Sequence, residues 1–219
     1  MAATAVHKAP RAPLTRDRVL AVALGLADEA GIEALSMRRL ARALGVEAMS
    51  LYHHVANKDD LLDGILDLVL RTIELPSPEG DPMGELRKSA ISAHRVLQQH
   101  PWACGLLMSV QRLSDGRLRQ MDTMLACLHA AGLSAELADR AYHALDSHIL
   151  GFTLRQAGYA AGSRSVTEED VGGIRDRTRA SYPNFADHVS YHLRRKADEG
   201  ADEFEFVLDL IIDGLQRAR

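Results

Sequence analysis

Residues 34–66 read ALSMRRLARALGVEAMSLYHHVANKDDLLDGIL, and this stretch decides the fold. After Ser36, a capping residue, Met37, Leu40, Ala41 and Leu44 follow the i, i+3, i+4, i+7 rhythm of a short helix. Gly45 stops it, because glycine takes the turned backbone of a helix end without steric cost. A third short helix is expected from about Glu47 to His54. Asn57 then caps a fourth, with Asp59 and Asp60 favourable at its positive end and Leu61, Leu62, Ile65, Leu66, Val69 and Ile73 running on to Pro76. Upstream, Thr15 caps a first helix whose Leu20, Ala23, Leu24 and Ala27 share one face, and Gly31 ends it.

Two short helices joined by Leu44-Gly45-Val46-Glu47 have the composition of a helix-turn-helix, whose second member enters the DNA major groove. At about 100° per residue, Leu51 faces inward, since Val55 repeats it one turn later. The outward face is then Met49, Ser50, Tyr52 and His53, side chains that touch methyl groups, exchange hydrogen bonds and reach phosphates. Arg38 can grip guanine or clamp a phosphate, and Lys58 opens a helix whose free amides favour an anion. The competing reading makes Tyr52 and His53 ordinary surface of a three-helix core. His54 points toward the fourth helix and reads as structural, and Arg39 stays undecided.

The remainder fits this frame. A chain of 219 residues with 47 % apolar content makes one large domain or two small ones and can bury a core. Its net charge of −4 gives no overall pull toward nucleic acid or an anionic membrane. Residues 1–58, however, carry eight Lys or Arg against five acids, which suits a nucleic-acid module on an acidic body. Two cysteines, Cys104 and Cys127, rule out a disulfide framework and a four-cysteine zinc site. No apolar run approaches the roughly 18 residues of a transmembrane helix. Met1 to Pro13 is Ala- and Pro-rich without a signal-peptide core, so a soluble, cytoplasmic protein with no membrane partner is expected.

Pro76, Pro78, Gly80 and Pro82 mark a break, giving a helix-turn-helix domain at 14–75 and a helical domain at 82–219. Beyond it the rhythm predicts helices near 83–99, 103–111, 116–131 and 134–157, then a weak helix start at Thr167–Asp170. A helix follows Pro183, and a last one spans about 202–216. In 116–131, Leu118, Met121, Leu125 and Leu128 share a face. No alternating pattern of useful length occurs, and the expected fold class is all-α.

The run from Thr15 to Leu70 resembles the DNA-binding domain of the TetR family of bacterial transcriptional regulators. It keeps Ala41, the Leu44-Gly45-Val46 turn, Leu51-Tyr52-His53-His54, Lys58 and Leu61-Leu62. More loosely, His100-Pro101-Trp102, Ala131-Gly132-Leu133-Ser134 and Phe204 to Leu215 resemble the tetracycline-repressor-like branch. The resemblance implies base contacts from Arg38, Ala48, Met49, Ser50, Tyr52 and His53, and phosphate contacts from Tyr52 and Lys58. Met37 stands where the tetracycline repressor has a hydroxyl residue, so one phosphate contact is absent. The drug- and magnesium-binding groups of that repressor do not align, so neither tetracycline nor a metal is implied.

In the second domain, Trp102, Met108, Met121, Met124, Leu125, Tyr142, Asp146 and Phe152 are candidates to line an effector cavity, because Met and aromatic residues suit adaptable apolar sites. The bland reading of each is simple core. Asp146 needs a donor, from Arg95, Arg140 or the effector. His188 and His192 have i, i+4 spacing but no third ligand, so a solvated face is expected, with no metal and no cofactor. The last helix carries a stripe of Phe204, Val207, Leu208, Ile211 and Leu215, with Phe206, Leu210 and Ile212 off it. Apolar around most of its girth, it should be buried on two sides, and with the 134–157 helix it should form a homodimer seam. The expected function is a ligand-responsive repressor on a palindromic double-stranded DNA operator, released by a small hydrophobic effector. The alternative, an all-α metal-dependent hydrolase, would need a His-Asp dipeptide, and the chain has none.

Overall fold

The computed structural model describes residues 13–109, 113–162, 168–194 and 200–218, and among them are eleven α-helices and no strand. The chain divides into two compact units, the first ending at Leu68 and the second beginning at Val69. Sequence places the boundary at the Pro76–Pro82 break, whereas the packing divides inside a helix. Proline ends helices, but shared burial defines a unit, and Val69, Leu70 and Ile73 are buried with the second.

The first unit holds α1 (Arg16–Ala30), α2 (Met37–Leu44), α3 (Ala48–Leu51) and most of α4 (Lys58–Leu70). Its caps fall on the expected residues. Thr15 Oγ1 accepts from the Arg18 amide at 3.2 Å, Ser36 Oγ from Arg39 at 3.3 Å, and Asn57 Oδ1 from Asp60 at 2.8 Å. Gly45 is left-handed, φ 67° and ψ 38°, and lets the amides of Gly45 and Val46 close on the Ala41 carbonyl. α3 is one turn, shorter than expected, yet the Val55 amide still reaches the Leu51 carbonyl at 3.0 Å. Leu51 and Val55 therefore both turn inward, onto a core of Val19, Leu20, Ala23, Leu40, Leu44, Leu61 and Ile65. A methyl group on Gly64 would lie 2.6 Å from Leu20 Cδ2, so glycine is what permits α4 to approach α1.

The second unit is organised on α8 (Ala135–Gly162), which packs against α5 (Pro82–Gln99), α6 (Trp102–Leu107), α7 (Asp115–Ala130) and α11 (Gly200–Ala218). α9 (Glu168–Thr178) and α10 (Pro183–Arg194) pair with each other. Two apolar stripes lie elsewhere than expected. On α7 the buried positions are Arg117, Gln120, Met124, Cys127 and Leu128, while Leu118 is 47 % exposed. On α11 the inward residues are Phe204, Leu208, Ile212 and Leu215, while Phe206 and Leu210 are exposed. Leu208 thus belongs to the core of its own chain and not to an external seam.

Phe204 has two near-parallel imidazole neighbours, His94 at 4.0 Å and His148 at 4.6 Å between ring centroids. Thr153 Oγ1 donates to the Ile149 carbonyl and lies 2.8 Å from His94 Nδ1, so that nitrogen carries the proton and Thr153 accepts it. His94 Nε2 is buried with no partner among the described residues, and burial pushes the imidazole down to about 4. The folded state therefore holds the neutral ring, while the unfolded chain takes up a proton near 6.5. Stability from His94 is complete above pH 6.5 and is lost as pH falls toward 4, by on the order of 3 kcal/mol. Urea unfolding of wild type and His94→Gln at pH 7 and pH 5 measures this, and the variant should show the shallower dependence.

Candidate nucleic-acid interface and effector cavity

The one-turn α3 presents its residues as the helical wheel requires. Leu51 is fully buried, while Met49 is 73 % and Tyr52 45 % exposed, with His53 exposed beside them. Ala48 and Ser50 are half-buried at the flank. Arg38, in the first turn of α2, and Lys58, at the start of α4, are exposed, whereas Arg39 and His54 are half-buried. Five of the seven expected DNA-contacting residues are thus exposed, and Ala48 and Ser50 are half-buried beside them.

A clamp that the sequence did not reveal fixes the end of this segment. Arg16 Nη1 donates to the His54 carbonyl at 2.8 Å, and its Nη1 and Nη2 grip both oxygens of Asp60 at 3.0 and 2.6 Å. The same Asp60 carboxylate accepts the Ala56 amide at 2.8 Å. Hydrogen bonding from Arg16 holds the Asp60 carboxyl below its ordinary range. One guanidinium therefore ties α1, the α3–α4 turn and α4 together. In sequence, Arg16 reads only as one of eight basic residues, because the contact spans 38 and 44 positions.

In the second unit a cavity of about 460 Å³ opens between α7 and α8 and the segment after α6. Its apolar wall is Leu107, Met108, Leu113, Met121, Leu150 and Leu154, and its polar wall includes Arg117, Tyr142 and Asp146. Of the eight expected lining residues, Met108, Met121, Tyr142 and Asp146 come together here, and the other four do not. Trp102 is half-buried edge-on to His100, Met124 is core, and Leu125 is half-buried off the wall. Phe152 lies in the aromatic cluster, 5.4 Å from Phe204 between centroids. Those four satisfy the periodicity of buried helix faces, and burial alone does not select the face that borders a void.

The donor for Asp146 is neither Arg95 nor Arg140, which instead pairs with Glu136. It is Arg117, whose side chain is 8 % exposed and whose Nη2 lies 3.1 and 3.2 Å from the two carboxylate oxygens. Arg117 Nη1 also donates to Gln120 Oε1 at 3.3 Å. A signal for Arg117 existed: it shares helical phase with Gln120, Met124 and Cys127, and polar residues on a buried face mark a site. Among the described residues, no group of three or more His, Cys, Asp or Glu could hold a metal ion. The side chain of His192 lies outside the described residues. Also among the described residues, no helix is long and apolar enough to cross a membrane.

Comparison with known proteins covers both units. Residues 19–65 match the family described as bacterial regulatory proteins, tetR family, and residues 75–219 match the tetracyclin repressor-like C-terminal domain. The HTH-type transcriptional repressor DrrR1 of Streptomyces coeruleorubidus is 30 % identical over 95 % of this chain and 80 % of its own length. The class C tetracycline repressor of Escherichia coli is also 30 % identical, over 94 % of this chain and 92 % of its own. Among solved structures, ActR of Streptomyces coelicolor in complex with actinorhodin superposes with a TM-score of 0.79 at 31 % identity, covering 94 % of this chain and 99 % of that one.

Removing the Arg16 clamp should loosen the recognition segment without unfolding the unit, because an exposed pair of this kind contributes about 1 kcal/mol or less. In Arg16→Leu, amide hydrogen exchange should show protection at Ala56 falling roughly fivefold with only a small drop in Tm. Unchanged protection would mean that the packing of Leu51 and Val55 holds the segment alone.

Proposed function

The chain belongs to the TetR family of bacterial regulatory proteins, and from that premise we propose that it is a homodimeric, ligand-responsive transcriptional repressor. The family is one of DNA-binding transcription factors, so the chain is not an enzyme and the hydrolase alternative falls. The observation that carries the reading is the division of the α3 segment, with Leu51 and Val55 wholly inward and Met49, Tyr52 and His53 outward. Those three, with Arg38, Ala48 and Ser50, read base edges in the major groove, and Tyr52 and Lys58 hold phosphates. A two-fold dimer presents two such segments about one helical turn of DNA apart, and its operator is a palindrome.

A cavity of about 460 Å³ with a mostly apolar wall fits a small hydrophobic effector. The ActR complex with actinorhodin supports ligand binding, and the repressor activity in the name of the Streptomyces coeruleorubidus relative supports repression. Effector and operator favour different conformations of the dimer, so each weakens the other by the same factor. The dimer seam uses the exposed side of α11, where Phe206 is 63 % and Leu210 55 % exposed, together with α8. Exposed apolar side chains of this size one helical turn apart are the usual mark of an interaction surface. The site of action is the cytoplasm, where the DNA is.

Selection of bound fragments from random DNA should return a palindromic motif. Tyr52→Ala and His53→Ala should each cost about 1–3 kcal/mol of binding to that motif with unchanged unfolding, since neither side chain is core. Lys58→Ala should weaken all sequences alike and lower the salt slope by about one counterion. Loss of cooperative unfolding in the first two variants would place those side chains in the core after all.

Two substitutions on α11 separate seam from core. Leu210→Glu should give a folded monomer in sedimentation, because it places a charge only where a partner would cover it. Leu208→Glu should unfold the second unit, because a buried unpaired carboxylate costs several kcal/mol. A wild-type monomer at micromolar concentration would remove the seam.

A further inference from the structure

A second, smaller hollow lies on the other side of α7 from the cavity described above. Its volume is about 170 Å³, and its walls are Leu70, Arg71, Ile73 and Leu75, at the end of α4 and just beyond it, with Asp115, Gly116 and Arg119 of α7. The two spaces share no lining residue, since Arg117 and Met121 line the first and Asp115 and Arg119 the second. Two residues on a helix are about 200° of rotation, so α7 itself separates them.

The charges of this hollow are left open. Elsewhere in the second unit arginines are held by carboxylates: Arg87 by Glu205 and Asp209, Arg117 by Asp146, and Arg155 by Glu203. Arg71 and Arg119 are exposed, line one small space, and make no ion pair or side-chain hydrogen bond among the described residues. Asp115 lines the same space without pairing with either. Two guanidiniums against one carboxylate leave a surplus of positive charge. An anion between the arginines relieves their repulsion, and a carboxylate matches the guanidinium fork with parallel hydrogen bonds.

The rest of the wall restricts which anion. Leu70, Ile73 and Leu75 are apolar and give a fully hydrated inorganic ion nothing to bind. A dianion would exceed the surplus charge and would lie beside Asp115. Drug-sized ligands take roughly 300–1,000 Å³, so the smaller space suits a compact acid. We propose that this hollow binds a small monocarboxylate with a short apolar frame, of the size of benzoate. Its oxygens are shared between Arg71 and Arg119, and its hydrocarbon lies against Leu70, Ile73 and Leu75. The acid bridges the end of α4 to α7, as an input separate from the α7–α8 cavity.

Benzoate, neutral benzamide and inorganic phosphate, titrated into the full chain at constant ionic strength, test this by NMR of the backbone amides. Benzoate should saturate with its shifts centred on residues 70–75 and 115–119, and should bind about fivefold tighter than either other probe, the size of one solvent-exposed charged contact. Arg71→Gln and Arg119→Gln should each weaken benzoate about threefold to fivefold, and together about tenfold or more. Tm should not change, because both side chains are exposed and unpaired. Arg177→Gln, which removes an exposed cation on α9, should leave binding as it is. Benzamide binding as tightly as benzoate, phosphate binding tightest, full affinity in the double variant, shifts centred instead on Met121 and Leu150, or no binding of any probe each overturns the assignment.

Discussion

A guanidinium taken almost wholly out of water must be paired, and Arg117 is paired with Asp146 across α7 and α8. Several features of the second unit follow from that constraint. Reaching Asp146 sets the rotation of α7, so that Arg117 and Gln120 turn inward and Leu118 is left 47 % exposed. With two polar side chains on the inner face, α7 cannot close on α8 as a continuous apolar seam, and the cavity opens where the polar pair meets Met121 and Leu150. Asp146 lies four residues after Tyr142 on α8, so the helix face that carries the ion pair also brings Tyr142 to the wall. Breaking the pair from one side would leave a buried charge, which is far costlier than never having had the pair.

The first unit solves a different problem. A helix of four residues has no stability of its own, since nucleation outweighs the few bonds it makes. α3 persists because both its ends are held. The left-handed Gly45 and the Ala41 carbonyl fix its entry, Leu51 and Val55 anchor its inner face, and Arg16 fixes its exit at the His54 carbonyl. With its inner face and ends held in this way, the outer face is free of structural duty. Met49, Tyr52 and His53 can then be chosen for what they touch.

This difference explains what was legible in the sequence. Caps and apolar rhythm are local, so Thr15, Ser36, Gly45 and Asn57 announced α1 to α4, and the outward face of α3 followed from the wheel alone. The cavity was half legible, through Met108, Met121, Tyr142 and Asp146. What stayed hidden depends on contacts far apart in the chain: Arg16 with Asp60, Arg117 with Asp146, and the phase of α11, where Leu208 faces its own core and Leu210 does not. A helix apolar on most of its circumference offers two stripes, and only its neighbours decide which is internal. Trp102, Met124, Leu125 and Phe152 were plausible on composition for the same reason, since a core and a cavity wall draw on the same residue types.

The small residues of α8 show what the cavity asks of the fold. Gly151 lines it in mid-helix, and a methyl group there would meet nothing within 4 Å. Helix propensity alone would favour alanine by roughly 0.5–1 kcal/mol, and a larger side chain could fill space that contributes no contacts while empty. Ser147, one turn earlier, is likewise small and lines the same wall. Stability therefore argues for closing this space, yet two adjacent turns leave it open. An occupant that supplies the missing contacts returns that stability in proportion to its concentration over its Kd. A helix that gives up intrinsic stability where a ligand can restore it has its folded population tied to the ligand, and that linkage is what a sensor requires.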